Sequence, residues 1–172
     1  MNDCCAVPGG DPKPRAYDLA VIGAGSAGFS AAITAANLGA RVALIGHGTI
    51  GGTCVNVGCV PSKTLLRAAE AVHAAQSATR FPGLAGAATL TDWSALMAAK
   101  DELVATLRRQ KYADLLLGYE TIDYIEGQAR FADGMLTVGG APLQSGKIVL
   151  ATGAAPALPD VPGIAKVPIL TS

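Results

Sequence analysis

The chain has 172 residues, enough for one domain with its own hydrophobic core. Its formal net charge is zero, which argues against nucleic acid or an anionic membrane surface as a partner. Charged residues make up 15% of the chain and hydrophobic residues 51%, and 21 residues are Gly. This composition is typical of a buried α/β core whose backbone is approached closely at several points.

One apolar segment, residues 19–40, would be long enough to span a bilayer. It contains four glycines, and its two halves fit a strand followed by a helix, so we predict no membrane span. Residues 1–15 contain three prolines and no apolar run of the kind that a signal peptide needs, and we interpret them as a flexible tail. We therefore expect a cytoplasmic protein, in which four cysteines indicate redox or metal chemistry.

The predicted elements begin with an alternation of strand and helix. A buried apolar strand, an alanine-rich helix ended by Gly39 and a second strand follow one another over residues 17–23, 26–38 and 41–45. A strand, a helix and a strand within about 30 residues have the size of a βαβ unit. The pattern therefore predicts an α/β fold.

Two helices and a series of short strands follow. A loop over residues 46–61 precedes a helix over about 63–78, and Asp92 is the predicted N-cap of a helix that runs to about Leu117. Short strands with Gly and Asp turns between them are typical of a meander that returns to the sheet. They cover residues 122–125, 128–131, 135–138 and 147–151. The proline-rich end is interpreted as a connector.

The turn between the first strand and the first helix matches G-x-G-x-x-G. In this context, Gly23 would permit the tight turn, Gly25 would let a pyrophosphate approach the backbone, and Gly28 would let the helix pack closely on the strand. The free N–H groups of the helix start, at Ser26 and Ala27, would face the phosphates. The turn therefore predicts a dinucleotide site.

The acid that normally closes the second strand and hydrogen-bonds a ribose is missing. Gly46 stands at that position and His47 follows it. Either water, backbone groups or His47 contacts the ribose, or binding there is weaker, and His47 can also be a plain loop histidine. The strand at 147–151 ends in the small residues Ala151, Thr152 and Gly153. They indicate a second point at which a dinucleotide could pass close to the backbone.

Two cysteines five positions apart, Cys54 and Cys59, lie just before Pro61 and Ser62, which mark a helix start. At a helix N-terminus the backbone dipole favours a thiolate, and Lys63 adds a positive charge. A thiol of low pKa beside a second cysteine suits thiol–disulfide exchange, and two thiolates also suit a soft metal ion.

A structural zinc site would need four ligands. The remaining candidates are scattered along the sequence, namely Cys4, Cys5, His47 and His73. The adjacent Cys4 and Cys5 in the tail could capture a metal ion and pass it inward, or they could be an incidental pair.

Three segments together resemble one family. The turn at 23–28, the segment GTIGGTCVNVGCVPSK at 48–63 and Ala-Thr-Gly at 151–153 are similar to the flavin domain of the pyridine nucleotide–disulfide oxidoreductases. The resemblance covers residues 16–172 and implies an incomplete Rossmann-like FAD-binding domain of three layers, with a parallel sheet and an antiparallel meander. Val55 and Val60 are most similar to the mercuric reductase branch, since dihydrolipoamide dehydrogenases tend to carry Leu and Ile there.

The resemblance implies roles for individual residues. FAD would lie with its pyrophosphate at the Gly-rich turn and its isoalloxazine against Cys59, the charge-transfer thiol, with Lys63 near its N5 edge. Cys54 would be the interchange thiol that meets the substrate. Further FAD contacts are implied at Gly46, Gly52, Thr53, Ala129, Ala151, Thr152 and Gly153.

The resemblance also implies an activity. Electrons would pass from NADPH through FAD to the Cys54–Cys59 disulfide, and Hg(II), bound by both cysteines as a thiolate complex, would leave as Hg(0). The full-length protein would be a homodimer. Two alternatives stay open: a disulfide oxidoreductase similar to dihydrolipoamide dehydrogenase or glutathione reductase, and a thiol protein that sequesters metal through Cys4, Cys5, Cys54 and Cys59.

Several features of the family are missing from this sequence. It has no second dinucleotide fingerprint for NADPH, no later Gly-Asp flavin motif, no dimerisation domain and no C-terminal cysteine pair. We therefore expect a first segment of a longer protein, with weak FAD binding and no turnover by the chain alone.

Overall fold

The computed structural model describes residues 17–132 and 134–171. The predicted tail, with Cys4 and Cys5, lies outside the described residues. The strands are β1 (Tyr17–Ile22), β2 (Val42–Gly46), β3 (Ile122–Glu126), β4 (Ala129–Ala132), β5 (Met135–Val138), β6 (Ala141–Leu143) and β7 (Ser145–Leu150). Four of them form a parallel sheet in the order β3-β2-β1-β7, and three form an antiparallel sheet in the order β4-β5-β6.

The helices lie between and after the first two strands. They are α1 (Ser26–Asn37), α2 (Gly52–Asn56), α3 (Cys59–Gln76), α4 (Trp93–Arg108) and α5 (Asp114–Leu116). Short 3₁₀ turns occupy Ser77–Arg80 and Ile164–Lys166, and a π-helical turn at Arg109–Ala113 joins α4 to α5. Within the described ranges, no helix combines the length and the apolar character needed to cross a membrane.

Both faces of the parallel sheet are covered at its two central strands, β1 and β2, whose residues are largely apolar on both sides. On one face the sheet packs against α1, and this core contains Val21, Phe29, Ala32, Val42, Leu44 and Ile122. On the other face it packs against the antiparallel sheet, and this core contains Ala20, Ile22, Ile45, Leu136 and Val138. The predicted three-layer α/β fold, with a parallel sheet and an antiparallel meander, is therefore confirmed.

The local signals at α1 and α4 act as predicted. Gly39 follows α1 with a φ of 85°, a conformation that favours glycine. The Asp92 carboxylate accepts a hydrogen bond from the Ala95 N–H at 3.0 Å, which confirms Asp92 as the N-cap of α4.

Several predicted boundaries are wrong. Residues 46–61 are not all loop, because 52–56 form α2, and α3 begins at Cys59 rather than after Pro61. Pro61 is the third residue of α3, where a missing N–H costs no intrahelical hydrogen bond. The helix predicted to run to Leu117 is interrupted by the π-helical turn.

The meander is also smaller than predicted. β3 and β7 belong to the parallel sheet, and only β4, β5 and the unpredicted β6 form the antiparallel one. β6 contains Pro142, and because β6 is an edge strand it tolerates the missing N–H donor.

Candidate functional site

A cavity of about 620 Å³ opens at the carboxyl ends of β1 and β2. Ligands of open α/β sheets bind at this edge, because the loops that follow parallel strands converge there. Most of the predicted site residues line the cavity: Gly23, Gly25, Ser26, Ala27, Gly46, Gly52, Thr53, Cys54, Ala129, Ala151, Thr152 and Gly153. Segments from five separate parts of the chain thus meet around one space.

Three predicted residues are not among those that line the cavity: Gly28, Cys59 and Lys63. Gly28 is buried, and a Cβ there would stand 1.7 Å from the Gly23 carbonyl oxygen. Gly28 therefore allows α1 to pack on the turn, as the sequence predicts for the third glycine. Cys59 and Lys63 are exposed residues of α3.

Close backbone contacts explain two of the other glycines. Gly23 has a φ of 123°, and a Cβ there would stand 2.0 Å from the Ala151 carbonyl oxygen. A side chain at Gly52, whose φ is 68°, would stand 2.8 Å from the Gly25 Cα. The turn after β1 therefore packs against both the end of β7 and the start of α2, and no side chain narrows the cavity at these points.

The N-terminus of α1 lies at the cavity, because Gly25, Ser26 and Ala27 belong to the lining, and the first N–H groups of a helix have no intrahelical partner. Gly25 is the N-cap, no side chain caps the helix, and the first turn carries no acid. An uncapped N-terminus with positive potential suits a phosphate group. This end of the cavity is therefore suited to a pyrophosphate.

The cysteine segment is joined directly to this turn. The Gly51 N–H donates a hydrogen bond to the Ala24 carbonyl oxygen at 2.8 Å. The Asn56 side-chain amide donates to the carbonyl oxygens of Ile50 and Gly52, at 3.0 and 2.8 Å, and its oxygen accepts from Arg108 at 3.1 Å. The sequence analysis did not single out Asn56, which holds α2 in place from within.

Cys54 lies in α2 and Cys59 is the first residue of α3, so both sulfurs lie at the junction of the two helices. Both cysteines are exposed and unbridged. The junction is tight, because the N–H groups of Val57 and Gly58 both donate to the Thr53 carbonyl oxygen, at 3.0 and 2.7 Å. A reduced pair is thus presented at the surface, with Cys54 on the cavity side.

The two thiols differ in acidity. Hydrogen bonding with Cys54 is the largest influence that lowers the pKa of Cys59, and the positive charge of Lys63 lowers the pKa further, against a raising effect of burial. The same hydrogen bond, followed by burial and the charge of Cys59, raises the pKa of Cys54. Cys59 is therefore the more acidic thiol of the pair, and Cys54 is the less acidic one.

Two tyrosines that the sequence did not single out support the site. The Tyr112 hydroxyl is 3.1 Å from the Ser26 hydroxyl, and its ring meets Phe29 edge-on at 4.9 Å between centroids. Tyr112 lies in the π-helical turn, which no local pattern predicted. Tyr124 of β3 lines the cavity beside Gly46.

A conventional metal cluster is not found in the part of the chain that the structure describes, since no three side chains of His, Cys, Asp or Glu come together there. His47 lines the cavity and belongs to no group of three such side chains in that part. Among described residues, the metal-binding capacity of the site therefore lies in the two thiols.

The geometry agrees with what known proteins show. The family model for pyridine nucleotide-disulphide oxidoreductases matches residues 17–171. The mercuric reductase of Lysinibacillus sphaericus is 49% identical over 157 residues, which are 91% of this chain and 28% of that protein. The mercuric reductase of Streptomyces lividans is 49% identical over 162 residues, which are 91% of this chain and 34% of that protein.

Solved structures are similar as well. The HOCl-induced flavoprotein disulfide reductase RclA from Escherichia coli, as a Cu(II) complex, matches with a TM-score of 0.64 and 37% identity. The match covers 87% of this chain and 31% of that one. The chain thus spans about a third or less of the relatives that it matches. The family match over nearly all described residues, together with the dinucleotide turn and the paired cysteines, shows that the chain belongs to the pyridine nucleotide-disulphide oxidoreductase family.

Proposed function

We propose that the protein containing this chain is an FAD- and NADPH-dependent mercury(II) reductase. The observation that carries the proposal is the direct junction of the cysteine helix α2 with the dinucleotide turn, through the hydrogen bond from Gly51 to Ala24. It brings a thiol pair and a dinucleotide cavity into one unit. The two mercuric reductases at 49% identity support Hg(II) as the substrate.

The cavity fits FAD on this chain's own geometry. The glycine turn and the uncapped start of α1 would hold the pyrophosphate, and the glycine contacts keep the space free of side chains. Ala129 and the 151–153 segment, which line the same cavity, would hold the remainder of the cofactor. When bound, FAD would supply a two-electron carrier between NADPH and the cysteine pair.

The cysteines would bind and hold the metal. A thiolate is the ligand that a soft metal ion prefers, and Cys59 is the more acidic thiol of the pair. The thiol of Cys54 loses its proton when it also binds Hg(II), so two thiolates would then hold the ion. Two electrons from NADPH convert this Hg(II) to Hg(0), and NADP⁺ and a proton are the other products. Lys63 stabilises the Cys59 thiolate.

The test is turnover by the intact protein. We expect the purified protein to carry a flavin absorbance band and to oxidise NADPH when Hg(II) is supplied with excess small thiol. Cys54→Ser and Cys59→Ser should each lower turnover about 100-fold or more, because the pair acts as a unit. A Cys4→Ser/Cys5→Ser variant should leave turnover unchanged. A protein without flavin, or one that oxidises NADPH no faster with Hg(II), would refute the proposal.

The alternatives make different predictions in the same assay. A lipoamide or glutathione reductase would oxidise NADPH with the disulfide and not with Hg(II). Cu(II) belongs in the comparison, because the similar structure from E. coli is a Cu(II) complex of the disulfide reductase RclA. A protein that only sequesters metal would bind Hg(II) without flavin, and its capacity would fall when Cys4 and Cys5 are replaced.

We further propose a homodimer in the cytoplasm, where a dithiol is kept reduced. The NADPH site and the dimer interface are expected in parts of the protein outside this chain. Light scattering of the intact protein tests the dimer, and a monomer at working concentration would contradict it.

A further inference from the structure

Gly46 closes β2 at the position where dinucleotide folds carry the ribose-binding acid. It is not among the residues with positive φ, so backbone conformation does not require glycine there. The lack of space requires glycine at this position, because a Cβ at position 46 would stand 2.5 Å from the Tyr124 hydroxyl oxygen and 2.8 Å from the Ala24 Cβ. The Tyr124 hydroxyl therefore occupies the volume that a side chain at position 46 would fill.

The register of the sheet accounts for this contact. β2 and β3 are parallel neighbours, in which Leu44 pairs with Tyr124 and Gly46 with Glu126. Residues two apart on a strand point to the same face, so positions 44, 46 and 124 share the α1 side of the sheet. The half-buried Tyr124 ring packs against the core on that side, and the residue also lines the cavity.

We propose that the Tyr124 hydroxyl hydrogen-bonds the adenosine ribose of FAD in place of the missing acid at position 46. The inference rests on the proposed function, in that it takes FAD as the occupant of the cavity. A phenol both donates and accepts a hydrogen bond, so it can serve a ribose hydroxyl in either direction. Burial, and then the charge of Glu126, raise the pKa of Tyr124, so the hydroxyl keeps its proton at neutral pH.

His47 is the competing candidate, because it lines the same cavity. It lies beyond the end of β2 and is exposed, whereas the Tyr124 ring is held by the sheet and by the core. A hydroxyl on a ring fixed in this way loses less conformational entropy on binding than an exposed loop side chain does. The structure therefore favours Tyr124.

The test removes one hydroxyl from the intact protein. Tyr124→Phe keeps the ring and should raise the dissociation constant for FAD about three- to tenfold, measured by flavin fluorescence titration of the apoprotein. Tyr119→Phe is the matched control, because Tyr119 packs on the same core but does not line the cavity. The same loss in both variants, or no loss in Tyr124→Phe, would overturn the inference.

A second arm removes the hydroxyl from the ligand. At least one FAD analogue, lacking either the 2′- or the 3′-hydroxyl of the adenosine ribose, should bind the wild-type protein more weakly than FAD does. Tyr124→Phe should bind that analogue and FAD with equal affinity. Such non-additivity is the signature of a direct contact. Additive losses would overturn the inference while leaving FAD binding intact. A wild-type protein that binds no FAD would instead defeat the proposed function.

A glutamate at position 46 provides a rescue once both neighbouring side chains are made smaller. Ala24→Gly/Tyr124→Val removes the side-chain atoms that a Cβ at position 46 would meet within 3 Å, and it should weaken FAD binding. Gly46→Glu added to these two changes should recover most of the affinity, because it places an acid where dinucleotide folds carry one. Gly46→Glu alone should bind poorly, since its side chain meets the Tyr124 hydroxyl and the Ala24 Cβ. A single glutamate variant that binds as well as the triple variant would contradict the shared volume.

Discussion

The two cysteines differ in acidity although both are exposed. Cys59 begins α3, whose N-cap Gly58 provides no side-chain capping bond, and the backbone dipole at this end of a helix favours a thiolate. Cys54 acts as a hydrogen-bond donor to the Cys59 sulfur. The difference in acidity thus arises first from this hydrogen bond, which lowers the pKa of Cys59 and raises the pKa of Cys54.

Replacing Cys54 should make Cys59 less acidic. Cys54→Ala removes the largest influence that lowers the pKa of Cys59, so the thiolate should form only at higher pH, and Lys63→Met should raise the same pKa by less. The measurement is thiolate ultraviolet absorbance against pH in the reduced protein, corrected with a Cys59→Ser companion. Arg67→Met, on the same helix, is the control. A thiolate midpoint that stays constant in Cys54→Ala would contradict the assignment.

At the scale of elements, α2 is too short to be stable by itself, with only five residues. Its position depends on the Gly51 hydrogen bond to Ala24 and on Asn56, which donates within the segment and accepts from Arg108 of α4. The half-buried Asn56 therefore connects the cysteine helix to the residue Ile50 before it and to a distant helix, whereas Gly51 joins the segment to the dinucleotide turn.

Asn56→Ala should loosen α2 locally. The loss of two donated hydrogen bonds should reduce the free energy of local opening by about 2 kcal/mol, or roughly 30-fold in amide protection. Hydrogen exchange at the N–H groups of Gly51 and Val57 measures this. Arg67→Ala, which removes an exposed ion pair with Glu70, should change protection by less than about 1 kcal/mol. Equal effects of the two variants would show that Asn56 does not hold the segment.

For the whole molecule, the antiparallel sheet matters because it covers one face of the parallel sheet. Leu136 of β5 is 4% exposed and packs with the sheet residues, whereas the neighbouring Met135 is 59% exposed. Alternation along one short strand thus separates a core residue from a surface residue.

Leu136→Ala should destabilise the three-layer packing. Removal of a buried leucine side chain costs about 2–5 kcal/mol, because the lost contacts leave a cavity. Met135→Ala changes the exposed neighbouring residue of the same strand, and it should lower the free energy of unfolding by less than about 1 kcal/mol. The protection of the β4–β6 amides against hydrogen exchange, measured in the intact protein, compares the two variants. A loss of protection in Met135→Ala as large as in Leu136→Ala would contradict the packing.

Much of the fold was predictable because its signals are local. The βαβ unit, the Asp92 cap and the glycine stop after α1 depend on residues close together in the chain. The start of α3 and the strand β6 were missed, since Pro61 and Pro142 are breakers in most contexts and are tolerated here at a first helical turn and at a sheet edge. The π-helical turn that carries Tyr112 left no recognisable pattern.

The sequence by itself determined the α/β class, the glycine-rich turn and the spacing of the paired cysteines, because each needs particular residues at short fixed spacings. Only the tertiary structure decided what these parts touch. The contact of Gly52 with Gly25 and the place of Tyr124 in the volume next to Gly46 join residues far apart in the chain. Their meeting depends on strand order and register, which place β3 beside β2 and leave its tyrosine where an acid was expected.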